Sequence, residues 1–416
     1  MNLGLVAALA LGACSTPRRL PAVPTALTAE ATALPGPTRF LVARDTTVMT
    51  AEARSSLDKE RAWLASNGWT GPLPPMAILA ISGGGDNGAF GGGLLNGWTA
   101  AGTRPEFKVV TGVSTGALAA PFAFLGPRCD QALKAVYTEV SQRDIFLKRG
   151  LLKGFFGDAM ADSSPLFRLV GRYVDRRMLD AIAAEYAKGR LLLVGTTNLD
   201  TLEPVVWNMT AIAASHDPRA LELFRKVLLA SAAIPAAFPP VLIDADVGGQ
   251  HFQEMHVDGG AMAQVFVYPP NLSIRDSGVE RQRTLYIIRN ARLDADWASV
   301  KRRVLPIAGR AVSGLMQSQG IGDLYRIYLT AKRDGVDFNL AFIPPSFNTP
   351  HTQDFDQGYM RSLYDLGFQM ASAGYPWRKE PPGYAEAAGQ VPAVAPPPAP
   401  PPTPAPAAAQ PYACAA

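Results

Sequence analysis

Charge is scarce in this chain. Asp, Glu, Lys and Arg make up only 18% of its 416 residues, and 39 basic residues face 35 acidic ones. With no long run of one sign, the sequence lacks the clustered basic surface that phosphate neutralisation requires, so nucleic acid is not an expected partner. Cysteine is scarcer: Cys14, Cys129 and Cys414 are too few for a disulfide framework and too far apart for a CxxC metal or redox motif. The four histidines, His216, His251, His256 and His351, show no ligand spacing such as HExxH, so neither a metal nor another cofactor is expected. Long apolar runs are also missing. The most apolar internal stretch, residues 227–243, is interrupted by Pro235, Pro239 and Pro240 and is a poor spanning helix.

What is present at the two ends reads as targeting and tail. Residues 1–13 form a short apolar signal segment, well below the roughly 20 residues a membrane span needs. Leu11-Gly12-Ala13-Cys14 resembles the lipobox of bacterial lipoproteins, which implies lipidation at Cys14, a Gram-negative envelope location and, with Ser15 next, the outer membrane. The segment departs from the usual signal in having no Lys or Arg before the apolar run. Residues 14–49, rich in Pro, Ala and Thr, are expected to be a tether, and residues 379–416, rich in Pro and Ala, a disordered tail. The folded part is then residues 50–378, a length compatible with one α/β domain.

Three glycine-rich turns follow apolar strands. Residues 75–82 form a continuous apolar run, as in a buried parallel strand, and end in Gly83-Gly84-Gly85-Asp86-Asn87-Gly88 before a helical stretch. Amides in such a turn have no partners of their own, so they can hold an anion. The spacing also fits GxGxxG, but Glu106 precedes the next strand instead of following it, which argues against a dinucleotide. The second run, Phe107-Lys108-Val109-Val110-Thr111, leads into Gly112-Val113-Ser114-Thr115-Gly116, the context of a nucleophile elbow. The third, Met255-His256-Val257, ends in Asp258-Gly259-Gly260. A carboxylate at a strand end projects to the edge of a parallel sheet where ligands bind.

Taken in order, these motifs resemble the patatin-like phospholipases over residues 75–290. The resemblance implies a three-layer α/β fold, with a mostly parallel sheet between helices, and hydrolysis of acyl esters of membrane lipids. It assigns Ser114 as nucleophile, Asp258 as its base, and the loop containing Gly83, Gly84, Gly85 and Gly88 as oxyanion hole. Gly112, Gly116, Gly259 and Gly260 are the supporting motif glycines. Residues 191–200, 205–207 and 230–240 resemble further family blocks and read as core strands and a packing turn. Two departures bear on the substrate class: Asn87 stands where many members carry Arg or Lys, and Ala261-Met262-Ala263-Gln264 replaces paired asparagines after the aspartate motif.

A Ser-Asp dyad needs a carboxyl buried enough to raise its proton affinity, since an ordinary carboxylate is a poor base for a hydroxyl. Two other readings remain open. One is an α/β-hydrolase triad using His351, which sits in a polar turn; the other is a non-catalytic lipid-binding or scaffold lipoprotein. His256, two residues before Asp258, would share its strand face and could support it. Residues 145–156 mix apolar and basic groups and are the candidate interfacial segment, whereas the helical patterns of residues 291–372 read as packing.

Overall fold

The computed structural model describes residues 19–149, 157–295, 297–384 and Cys414. Cys14, Phe155, Phe156 and most of the Pro/Ala tail lie outside the described residues. Nine strands form one sheet: β1 (Arg39–Leu41), β2 (Met76–Ile81), β3 (Phe107–Val113), β4 (Leu191–Asn198), β5 (Glu203–Asn208), β6 (Val241–Val247), β7 (Gln250–Asp258), β8 (Arg283–Arg289) and β9 (Asp337–Phe342). The order is β1-β5-β4-β3-β2-β8-β9, and the five strands from β4 to β9 in that order are mutually parallel. β5 and β1 extend the β4 side antiparallel, while the β6–β7 hairpin joins β4 through β7.

Both faces of the parallel part are covered, which is why its strands read as unbroken apolar runs. Along β2, Leu79 and Ile81 enter one core and Ile78 and Ala80 the other. The first core is roofed by α2 (Gly88–Ala100), α3 (Thr115–Leu125), α4 (Asp130–Thr138), α5 (Ser164–Tyr173), α6 (Arg176–Ala187), α7 (Ala220–Ser231) and α9 (Gln357–Ser372). The second is closed by α8 (Val304–Asp334) through Leu324, Ile327, Tyr328 and Ala331. Helices α2 and α9 meet almost backbone to backbone: a Cβ on Gly93 would stand 1.9 Å from the Tyr364 carbonyl oxygen. The resulting three-layer α/β architecture is the expected one.

The N-terminal segment departs from expectation. From Arg19 the chain is folded onto the domain instead of tethering it. β1 pairs with β5, Thr32 bridges Asp246, and Val23, Ala31, Leu34, Phe40 and Leu41 are buried. The physical reason is a sheet edge: β1 satisfies backbone groups that β5 would otherwise expose. Arg39 secures it by pairing with Glu254 on β7. After this stretch comes α1 (Thr46–Ser66). At the other end order continues past residue 378, with Lys379 paired to Asp337 at 2.9 Å and the Tyr384 ring 4.8 Å from that of Tyr328.

Cys129, at the foot of α4, is joined to Cys414 with a Cα–Cα distance of 4.9 Å. Three cysteines exclude a framework but not one bridge, and nothing in their spacing announces this pairing across 285 positions. A crosslink between positions so far apart restricts the unfolded chain strongly. Cys414→Ser, or mild reduction, should therefore lower stability by about 2–4 kcal/mol. Thermal melting with and without reductant checks this, and identical transitions would refute it.

Candidate active site

β3 pairs with β4 only as far as Val113 opposite Gly195. Beyond that point the same edge of β4 is taken by β7, arriving antiparallel, with Asp258 opposite Thr196. Two strands thus meet head to head on one edge of β4, and the residues at their ends, Ser114 and Asp258, face each other. Ser114 forms the elbow between β3 and α3, with φ 55° and ψ −126°, a conformation costly for a side-chain-bearing residue. Its amide donates to Ser231 Oγ at 3.0 Å, and Ser231 Oγ donates to the Gly195 carbonyl at 2.7 Å. Its carbonyl accepts the Ala117 amide at 2.9 Å, so the strained turn is held from both sides.

Burial lifts the proton affinity of the Asp258 carboxyl from the usual range to about 7, against the opposing hydrogen bonds from Ser114 and the Gly260 amide. The Gly260 amide donates to Oδ1 at 2.7 Å. The remaining shell of the carboxyl is poor in compensation, and no cation pairs with it among the described residues. A carboxyl of this kind can take a proton from a hydroxyl near neutral pH and return it.

The glycine loop joins β2 to α2 beside Ser114. Gly83 lies under the serine: a Cβ there would be 3.2 Å from that of Ser114. Its amide is committed to the Gln264 carbonyl at 3.0 Å, so Gly83 serves position and not anion binding. Gly84, at φ 156°, presses on Asn290, whose carbonyl oxygen would be 2.2 Å from a Cβ. The amides of Gly84 and Gly85 meet no acceptor among the described residues, and the space over Gly85 is open. The Gly88 amide turns inward to the Asp86 and Gly85 carbonyls. Gly88, Gly112, Gly116, Gly259 and Gly260 are all close-approach positions, for instance Gly116 against the Ile81 carbonyl at 2.3 Å.

Residues 79–269 match the family model described as patatin-like phospholipase. This stretch is a patatin-like phospholipase domain. Solved structures similar to the chain include VipD from Legionella pneumophila, 13% identical, covering 73% of this chain and 67% of that one with a TM-score of 0.35. Human GIVD cytosolic phospholipase A2 is 10% identical, covering 75% and 56% with a TM-score of 0.32. The type III effector protein ExoU is 15% identical, covering 72% and 54% with a TM-score of 0.21. The chain spans little more than half the length of the latter two. No match is found among curated proteins.

Several residues of the patatin-like domain and its C-terminal extension were not legible as site residues. Gln264 braces two of the three turns, accepting the Gly83 amide on its carbonyl and donating Nε2 to the Gly260 carbonyl at 2.7 Å. Asn290 ties β8 to the loop by donating Nδ2 to the Ser82 carbonyl at 3.0 Å. His351 does not reach the dyad: its Nε2 lies 2.7 Å from Asp86 Oδ2, and the Phe355 amide donates to the same oxygen at 2.9 Å. Tyr359, in the first turn of α9, donates to Asn87 Oδ1 at 2.6 Å, so the start of α9 and the segment before it clasp the glycine loop. A His351 triad is therefore not assembled.

His256 sits in a separate buried chain, with Nδ1 3.0 Å from Thr196 Oγ1 and Nε2 3.3 Å from Glu254. Burial opposes ionisation of Glu254, but His256 and Arg39 outweigh it and bring its carboxyl down to about 2. An apolar cavity of about 70 Å³ opens beside Gly85 and Thr115, lined by Leu118, Phe122, Val140 and Leu169 among others. Among the described residues no cluster of His, Cys, Asp and Glu could hold a metal, and no helix is long and apolar enough to cross a membrane.

Proposed function

We propose that this protein is a serine lipid acyl hydrolase that cleaves acyl esters of membrane lipids through Ser114 and Asp258. The observation that carries this reading is the placement of the buried Asp258 carboxyl at the end of β7, facing Ser114 at the end of β3, with burial raising it to about 7. Ionised Asp258 takes the Ser114 hydroxyl proton as Oγ attacks the ester carbonyl. The developing oxyanion turns toward the amides of Gly84 and Gly85, with the N-terminus of α3 adding positive potential. Collapse expels the alcohol, which receives the proton from Asp258, and leaves an acyl-Ser114 ester. Asp258 then deprotonates a water, whose attack releases the fatty acid and frees Ser114. The apolar cavity beside Gly85 suits the first few carbons of an acyl chain.

In this reading the chain reaches its substrate as an envelope lipoprotein anchored through Cys14. The Cys129–Cys414 bridge supports that location, because disulfides persist outside the reducing cytosol. The test is labelling of the folded protein by a fluorophosphonate probe, together with fatty-acid release from phospholipid vesicles. A folded protein that neither labels nor releases fatty acid from any lipid or short ester would refute the proposal.

The loop clasp makes a further prediction. His351→Ala should lower kcat roughly tenfold with KM little changed, because a loosened glycine loop aims its amides less well in the transition state. His351→Gln, which keeps a donor for Asp86, should recover much of it. Equal losses in both variants would show that the clasp does not position the loop.

A further inference from the structure

Helix α8 is too long for the sheet it covers. Its 31 residues span about 46 Å at 1.5 Å each. Strands β8 and β9, of seven and six residues, span about 20 Å. The register of the overhang is fixed by contacts at one end. Gly320 packs on Arg289, the last residue of β8, and Asp323 accepts the Gln264 amide at 2.6 Å. Gln317 donates to the Arg292 carbonyl at 3.0 Å. The turns before Gly320 therefore extend about 24 Å beyond the carboxyl end of β8. That is the edge on which the neighbouring strand β2 ends in the glycine loop, since Ile288 pairs with Ile81.

This projecting arm and the segment leading into it are apolar and exposed. Trp297 is 87% exposed, Val304 81% and Leu315 70%, and Val300, Ile307 and Val312 are also exposed. At 100° per residue, Val304, Ile307, Ala308, Ala311 and Leu315 share one side of the helix, with Arg310 and Ser313 away from it. The charge is one-sided. Residues 297–322 contain Lys301, Arg302, Arg303 and Arg310 and no Asp or Glu. A helix exposed on nearly every side draws little stability from its own propensity and gains from a surface to lie on.

We propose that the arm formed by residues 297–315 docks the protein on an anionic phospholipid bilayer, with the mouth of the catalytic site facing the lipid. Trp297, Val304, Ile307 and Leu315 enter the acyl boundary while Lys301, Arg302 and Arg303 meet the phosphate layer. An amphipathic basic element with a tryptophan at its start matches an interface between water and anionic lipid in both charge and polarity. Only the orientation of the mouth rests on the lipid hydrolase reading; the docking follows from the arm itself. The interfacial segment expected at residues 145–156 has Phe155 and Phe156 outside the described residues, whereas the arm was expected to pack.

The test uses the full chain carrying Cys14→Ser, so that no acyl anchor contributes, and Ser114→Ala, so that the vesicles stay intact. Co-sedimentation is measured with vesicles of equal parts phosphatidylcholine and phosphatidylglycerol, and with phosphatidylcholine alone. Binding should be at least about tenfold tighter to the mixed vesicles. Lys301→Glu/Arg302→Glu/Arg303→Glu should abolish that preference, and Ile307→Ser/Leu315→Ser should weaken binding to both by about tenfold. These side chains are exposed, so melting temperatures should not change. With Ser114 restored, both sets should hydrolyse a soluble short-chain ester like the parent. Unchanged vesicle binding in both sets overturns the docking while leaving soluble-ester hydrolysis as a separate readout of the catalytic reading. A dimer in sedimentation equilibrium that Ile307→Ser/Leu315→Ser dissolves would assign the apolar side to a second copy and also overturn it.

Discussion

Ser114→Ala and Asp258→Asn should each reduce fatty-acid release by about 10⁴-fold or more, while Ser114→Ala leaves the fold intact. In the proposed mechanism the first change removes the nucleophile and with it the covalent route. Residual catalysis then comes from oxyanion binding and substrate positioning alone. Asparagine at position 258 keeps the shape and the hydrogen bond from Gly260 but cannot accept the hydroxyl proton. Because the two groups act as one unit, the double variant should be scarcely worse than either single one. Fluorophosphonate labelling should be lost in both. Full activity in Asp258→Asn would mean that the proton goes elsewhere, and His351, bound to Asp86, is not placed to take it.

The second large effect is on pH. In the proposed mechanism Asp258 acts in its ionised form, and its carboxyl is lifted to about 7 by burial. On the acid side kcat/KM should fall about tenfold per pH unit below that value, and should level off above it. Stability should move the other way. Below about pH 4 the carboxyl is protonated in both folded and unfolded chains and contributes nothing to the pH dependence. Between about 4 and 7 the unfolded chain has released the proton and the folded chain retains it, so each step upward in pH favours unfolding. The total, on the order of 4 kcal/mol, is reached above pH 7. Asp258→Asn should therefore melt near the parent at pH 4 and clearly above it at pH 8. Parallel melting curves for the two proteins across that range would show that the carboxyl is not strained by burial.

Legibility from the sequence followed physical scale. The strand before the glycine loop could be read because a strand buried on both faces must be apolar at every position, as residues 78–81 are. Residues 19–49 misled because proline, alanine and threonine also compose linkers. What folds them is a handful of apolar residues, Leu34, Phe40 and Leu41 among them, and a backbone ladder on β5 that composition does not record. The long helix α8 misled in the opposite sense. Its two halves have similar apolar content, but only the half from Gly320 onward has a sheet beneath it. Where a helix stops being covered depends on the length of the strands it crosses, and local periodicity carries no record of that.

By itself the sequence determined the local devices: a strand ending in glycines, a serine between glycines at a strand-to-helix turn, and an aspartate followed by two glycines. Each depends on backbone sterics within a few residues, which residue type alone largely dictates. The tertiary structure decided which acid meets Ser114, because β7 takes over the edge of β4 where β3 stops. It decided that the Gly83 amide is already occupied, that His351 serves Asp86, and that Cys129 finds Cys414. It also raised the proton affinity of Asp258, since that depends on how completely distant segments exclude water from one carboxyl. Pairings between residues more than a hundred positions apart are set by packing, and packing is a property of the whole chain.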